Sequence, residues 1–261
     1  MFIPKTEKIE KIAADYPRII EKLGKIFDKK TRVYIDYANV RPWSEKLGWH
    51  IDLKRLKQLL DSFDTIEAIN FYNGYLAGDE RSENEKMVAE NNKYILRTKP
   101  VKIMKFPINA SSIPADSTAL VKQFIKRSLL KKYDIGTIEL LNERFRGMNK
   151  KGEYVIEDMK CNFDVEIGID MLLDCEHDNA DTFVLWSGDS DFADPIKRLL
   201  AAGKQVFLFA TVRRIASELN DLNEIKENGL HIFDIADLKE FICWARESSY
   251  KRTKDPVAEA S

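Results

Sequence analysis

No run in this sequence approaches the roughly 18 consecutive apolar residues that would make a membrane-spanning helix. The opening stretch, MFIPKTEKIEKIAADYPRIIEKLGKIF, carries a charge every few residues and has no apolar signal core. A cytoplasmic protein with no membrane partner is the expectation. Cysteine is scarce: Cys161, Cys175 and Cys243 are odd in number and show no C-x-x-C spacing, so a disulfide framework is not expected and a reducing compartment is. There is no excess of charge of either sign. The 42 basic and 43 acidic side chains leave a formal net charge of -1, so the total does not announce a nucleic-acid binder and the distribution along the chain matters more. Internal repeats and low-complexity tracts are absent. What remains is a globular composition, 44% hydrophobic and 33% charged, in 261 residues, enough for one large domain or two small ones.

The pattern of elements is that of a parallel sheet with helices on its faces. Residues 5 to 28 place Ile9, Ile12, Ala13, Tyr16, Ile19, Ile20 and Leu23 at helical spacing. TRVYID (31–36) reads as a buried strand. A loop with Pro42, Trp43, Gly48 and Trp49 leads to a helix near 52 to 62, with Asp52 at its start. TIEAINFYN (65–73) is a second strand, 80 to 96 a charged helix, and PVKIMKF (100–106) a third strand. A basic helix is expected from 117 to 132, and residues 137–145 and 153–159 alternate well enough to pair as a hairpin. The region 107–158 therefore reads as an insertion. The rhythm then resumes: a helix at DVEIGIDMLLDC, a strand at 182–187, a helix at 192–202 closed by Gly203, a strand at 205–210, a helix near 213–220, an edge strand at LHIFDI and a last helix from about 236 to 247. Residues 1–30 form an N-terminal helical extension, 31–247 the main domain, and 248–261 a polar tail. Whether the first helix docks on the core or forms a homodimer interface is left open.

In open α/β sheets, ligands bind beyond the carboxyl ends of the strands. VYID delivers Asp36 there, and FVLWSGDSD delivers Asp189 and Asp191. The near-continuous apolar character of both strands argues that they are central. The helix opening at FDVEIGID adds Asp164 and, nearly two turns on, Asp170. Converging carboxylates raise one another's pKa and are tolerable when a cation neutralises them. All-oxygen donors favour Mg²⁺ or Mn²⁺ over Zn²⁺, and the chemistry that follows is hydrolysis of a phosphodiester by metal-activated water. Each acid also has a structural reading, Asp191 before Phe192 or Asp164 before Val165 as a helix cap. The GDSD turn is harder to explain that way. Gly188 is expected to lend it backbone freedom, and two carboxylates two residues apart can face one ion.

IDYAN (35–39), FDVEIGIDML (163–172) and WSGDSDF (186–192), followed by a helix, Gly203 and an apolar strand, resemble the NYN domain family, PIN-like bacterial proteins once described as LabA-like. The resemblance spans roughly 31 to 240. It implies a three-layer α/β/α PIN-like fold with a central, mostly parallel sheet, and a Mg²⁺- or Mn²⁺-dependent endoribonuclease acting on single-stranded or structured RNA. It implies Asp36, Asp164, Asp170, Asp189 and Asp191 as metal ligands. Asn39 is then the amide that holds the site loop or a metal water, and Ser187 and Ser190 position phosphate or water, unless they only satisfy turn amides. The chain departs from the family in MKCNFDV, where the family usually has a Lys-Gly pair closer to the acid, which sets Lys160, a candidate substrate contact, one residue off the usual position. It departs again in Ala-Asp-Pro after Phe192, which shifts the proline by one and adds Asp194 near the site.

Lys126, Arg127 and Lys131, with the neighbouring Lys122 and Lys132, make a basic run that either contacts a nucleic-acid backbone or is a solvated face. Tyr37, Trp43 and Trp49 flank the first acid and either stack on bases or pack beneath the loop. DCEHDNAD (174–181) lacks a second ligand pair at zinc-finger spacing and reads as a polar helix end. A haloacid-dehalogenase-type phosphatase would need an acid two residues beyond Asp36, where Ala38 stands. The remaining alternative is a nucleic-acid-binding module that keeps the fold without turnover.

Overall fold

In the computed structural model, the described residues are 1–107, 114–125, 127–148, 155–211, 215–224 and 230–243. The chain divides into two compact units, Met1–Pro100 with Cys161–Ser261, and Val101–Lys160.

The larger unit begins with two helices, α1 (Glu7–Asp15) and α2 (Pro17–Ile26), where a single helix over 5–28 was expected. The break lies at Tyr16, because Pro17 is tolerated only in a first turn and drives the residue before it out of helical geometry (φ -124°, ψ 54°). Ile9, Leu23 and Phe27 are buried, and the Phe27 ring lies 4.8 Å from Phe63 and 6.2 Å from Phe209, so this segment docks on the core. Then follow β1 (Thr31–Asp36), the short helices α3 (Tyr37–Val40) and α4 (Ser44–Leu47), α5 (Leu53–Leu60), β2 (Ile66–Tyr75), α6 (Glu80–Asn91) and β3 (Ile95–Pro100). Asp52 caps α5, accepting from the Arg55 amide at 3.1 Å.

The third strand is thus 95–100, not 100–106, and α6 stops at Asn91. β3 is an edge strand with alternating exposure and an exposed Ile95, so its polar sequence ILRTKP does not announce a strand. The more strand-like KIMKFP forms β4 (Lys102–Pro107) of the smaller unit. Its partner is β5 (Val155–Lys160), antiparallel, in a separate two-stranded sheet. Between them lie a 3₁₀ turn at Val121–Gln123, α7 (Arg127–Leu130) and α8 (Ile135–Met148). The continuous helix expected over 117–132 is therefore two short pieces, and residue 126 lies outside the described residues. The expected hairpin fails as well. Residues 137–145 are helical, with buried Ile138 and Asn142 and half-buried Phe145 at spacings of three and four, and the Asp134 carboxylate caps the start at 2.7 Å from the Thr137 amide.

The larger unit resumes with α9 (Asp164–Glu176), β6 (Thr182–Trp186), α10 (Ala193–Ala201), β7 (Gln205–Ala210), α11 (Ser217–Glu224), β8 (Leu230–Asp234) and α12 (Lys239–Ile242). α10 ends where Gly203 takes φ +76°, a left-handed position that glycine adopts without a Cβ clash. α11 starts later than the expected 213; 212–214 and everything beyond 243, including the tail, lie outside the described residues.

Six strands form one sheet in the order β3-β2-β1-β6-β7-β8, and every pairing is parallel. Helices lie around it, giving the three-layer α/β/α architecture of the PIN-like fold. β1 and β6 are the two central strands, with Val33, Tyr34, Ile35 and all of Phe183–Trp186 inaccessible to solvent. The strand order reverses between them, and a crevice beyond the carboxyl ends of β1 and β6 is where such a sheet offers a binding site.

Candidate functional site

β1 and β6 run in register, Ile35 opposite Trp186, so the next residues, Asp36 and Ser187, emerge side by side. Both are buried, and the Ser187 hydroxyl donates to Asp36 Oδ2 at 3.2 Å. The same Ser187 oxygen accepts from the Asp189 amide at 3.3 Å, so Ser187 serves both the turn and the acid and is not free to hold phosphate. Asp36 Oδ1 accepts from the Asn39 backbone amide at 3.4 Å; it is the main chain of Asn39, rather than its carboxamide, that meets the acid. Asp189 caps the turn Ser190–Phe192 by accepting from the Asp191 amide at 3.2 Å. Asp189 is thus the cap, not Asp191, and Asp191 is exposed. Gly188 does not take positive φ, which among the described glycines is confined to Gly48, Gly78 and Gly203; it is buried, and its carbonyl accepts from Ala216.

α9 brings three acids onto the same side of the sheet as Tyr34 and Tyr72. At its N-terminus Asp164 approaches Asp36, Asp189 and Asp191 closely enough for their charges to act on one another. Asp164 does not cap α9; its own amide donates to Asn162 Oδ1 at 3.4 Å, and its Oδ2 is buried with no partner among the described residues. Two turns on, Asp170 is already engaged: Tyr72 donates to its Oδ2 at 2.6 Å and Arg97 pairs with its Oδ1 at 2.9 Å. Asp174 is engaged likewise, by Tyr34 (2.6 Å), Arg32 (2.7 Å) and Asn179 (3.0 Å). Asp170 and Asp174 therefore fix α9 against the sheet. Asp170, expected as a metal ligand, thus has both carboxylate oxygens engaged by protein partners, and in DCEHDNAD Asp178 pairs with Lys204.

The electrostatics single out the other carboxylates. Burial pushes Asp36 up to about 7, reinforced by the charges of Asp164 and Asp189 and opposed by the bonds from Asn39 and Ser187. Burial likewise pushes Asp164 up to about 6, reinforced by Asp189 and Asp191 and opposed by the Asn162 side chain. A cation stands at the same sheet edge: Lys99 Nζ lies 2.6 Å from Glu166 and 4.4 Å from the centre of the Phe163 ring, directly before Asp164. Lys99 and Asn162 were not anticipated; the one available signal was an asparagine two residues before the helical acid.

Tyr37, Trp43 and Trp49 are buried in the core, Tyr37 against Phe71 at 4.9 Å, so they are packing residues and not base-stacking platforms. Ser190 is half-buried, and Asp194 is exposed beside Lys197. In the smaller unit Lys131 is exposed, Lys126 lies outside the described residues, and so do the side chains of Arg127 and Lys160.

As the side chains stand, no group of three or more His, Cys, Asp or Glu among the described residues is gathered into a metal-holding arrangement. The donor set nevertheless fits a hard divalent cation: Asp36, Asp164, Asp189 and Asp191 offer only oxygen, their charges oppose one another, and the buried Asp164 Oδ2 has no partner among the described residues.

No curated protein matches the chain. A crystal structure of a protein of unknown function from Vibrio parahaemolyticus RIMD 2210633 is similar at 16% identity, covering 82% of this chain and 96% of that one, with a TM-score of 0.46. The family model of the NYN domain matches residues 30–224, from the start of β1 to the end of α11 and across every acid of the site. The chain belongs to the NYN domain family, within the nuclease-like PIN superfamily.

Proposed function

We propose that the protein is a divalent-metal-dependent endoribonuclease that hydrolyses RNA phosphodiester bonds. The observation that carries this reading is the pair Asp36 and Asp164 at the reversal of strand order, with carboxyls raised to about 7 and about 6 and one buried oxygen unpartnered among the described residues. Asp36, Asp164, Asp189 and Asp191 would hold the cation. Bound Mg²⁺ or Mn²⁺ supplies positive charge that lets these carboxylates ionise together and offsets charge developing on the phosphate.

The chain's own groups do the rest. Ser187 and the Asn39 amide orient Asp36 and favour its charged form. The bonds of Asp170 and Asp174 hold α9 in the register that places Asp164 beside Asp36. Asp189 closes the turn that carries Asp191, which leaves Asp191 exposed toward substrate. Ser190 is the hydroxyl left to meet a phosphate oxygen.

Incubating the full chain with end-labelled single-stranded RNA, with Mg²⁺ or Mn²⁺ and then with EDTA, tests the proposal. Cleavage that needs the metal and disappears in Asp164→Asn supports it. RNA binding with no cleavage under any of these conditions would establish the alternative, a binding module that keeps the fold.

A further inference from the structure

The near-zero net charge conceals a segregation. Residues 101–160 carry twelve Lys and Arg against seven Asp and Glu, a net +5, which leaves the rest of the chain at -6. That division coincides with the division into compact units. A unit of net negative charge with buried carboxylates repels a polyanion, so encounter affinity has to come from elsewhere.

The smaller unit also carries exposed aromatic rings. Among its described residues Leu120, Val121 and Ile138 are the buried apolar side chains, and Asn142 donates to the carbonyls of Ala115 (2.6 Å) and Ser117 (2.8 Å). Phe124 is left 48% exposed, stacked on Phe145 with centroids 4.5 Å apart and planes at 22°. Tyr133 is 41% exposed. Lys122 stands two residues before Phe124, Arg144 directly before Phe145, and Lys131 and Lys132 directly before Tyr133. All four cations are exposed, and none has an ion-pair partner among the described residues.

We infer that the unit 101–160 is a single-strand RNA anchor: the open face of the Phe124–Phe145 stack receives an unpaired base, Tyr133 a second, and Lys122, Lys131, Lys132 and Arg144 meet the phosphates between. Aromatic faces with interleaved cations bind single strands because every base offers a π-face and every linkage a charge. A duplex keeps its bases stacked on one another, so it gains only the charge term. The substrate class rests on the nuclease reading above; the binding does not.

The test is fluorescence anisotropy of the full chain with labelled oligouridylate of about 16 nucleotides, in EDTA, over a salt series. Phe124→Leu keeps the apolar bulk and removes the π-face. It should weaken binding roughly tenfold, leave the salt slope unchanged, and leave binding to duplex RNA of the same length unchanged. Lys131→Glu with Lys132→Glu should weaken binding and flatten the log–log slope by about 0.7 for each phosphate no longer neutralised. Parent-like affinity in both variants would overturn the inference, as would a parent that does not bind oligouridylate. So would a change of sedimentation in Phe124→Leu with RNA affinity intact, which would mark the face as a protein interface. A parent that binds through this unit but never cleaves with metal sinks the nuclease reading alone. A parent that cleaves while both variants bind normally sinks the anchor alone.

Discussion

The Ser187 hydroxyl donates to Asp36 Oδ2 at 3.2 Å, and this bond joins the ends of the two central strands. It favours the charged form of a carboxylate that burial drives toward neutrality. Ser187→Ala should raise the Asp36 pKa further above its present value, and Ser187→Thr should largely preserve it. Carboxyl-carbon titration by NMR in EDTA reads this directly. An unmoved Asp36 titration in Ser187→Ala would show that the bond has no electrostatic role.

The metal-free protein should lose stability as pH rises from 3.8 toward about 7. Folded Asp36 keeps its proton up to about 7 and Asp164 up to about 6, while the unfolded chain releases both near the ordinary 3.8. Between those limits the folded state binds more protons, so the slope of stability with pH is negative. The penalty is absent below the unfolded value and complete above about 7. Urea midpoints in EDTA at about pH 5 and about pH 7.5 should differ in that direction, and Asp36→Asn should shrink the difference. A parent more stable at the higher pH contradicts the assignment.

Asp189 has two separable jobs. Its carboxylate accepts from the Asp191 amide, and its charge opposes those of Asp36 and Asp164. Asparagine can still accept that bond, so Asp189→Asn should abolish metal-dependent cleavage while leaving the metal-free melting temperature unchanged or higher. Asp189→Ala also loses the cap and should cost about 1 kcal/mol. Equal destabilisation by the two would reduce Asp189 to a structural role.

Asp170 and Asp164 should part company under mutation. Asp170→Ala leaves the Tyr72 hydroxyl and the Arg97 guanidinium without their acceptor and should destabilise by about 1–3 kcal/mol. Cleavage per folded molecule should survive it. Asp164→Asn should do the reverse, because Asp164 Oδ2 has no partner to lose among the described residues. Loss of cleavage in a fully folded Asp170→Asn variant would return Asp170 to the ligand set.

Trp43 is fully buried in the segment that follows Asp36. Trp43→Ala should cost roughly 3–5 kcal/mol of stability. RNA affinity measured on the folded fraction should not change. Weakened binding without destabilisation would mean that the ring reaches substrate.

What the sequence determined by itself is local. The apolar runs 33–35 and 182–186 had to be central strands because both faces of a parallel sheet are covered, and that placed Asp36, Asp189 and Asp191 at one edge. The start of α9 was equally legible from its period, and with it Asp164. Partners distant in sequence were not legible. Helical period sets which face Asp170 occupies, but only packing reveals that Tyr72, 98 residues away, takes its carboxylate. Alternation cannot separate an edge strand from a loop, so β3 was missed and β4 misassigned. Nor can a residue's identity tell whether an aromatic ring is covered: Trp43 is covered, and Phe124 stands open. Burial is a property of what arrives from elsewhere in the chain, and only the tertiary fold supplies that.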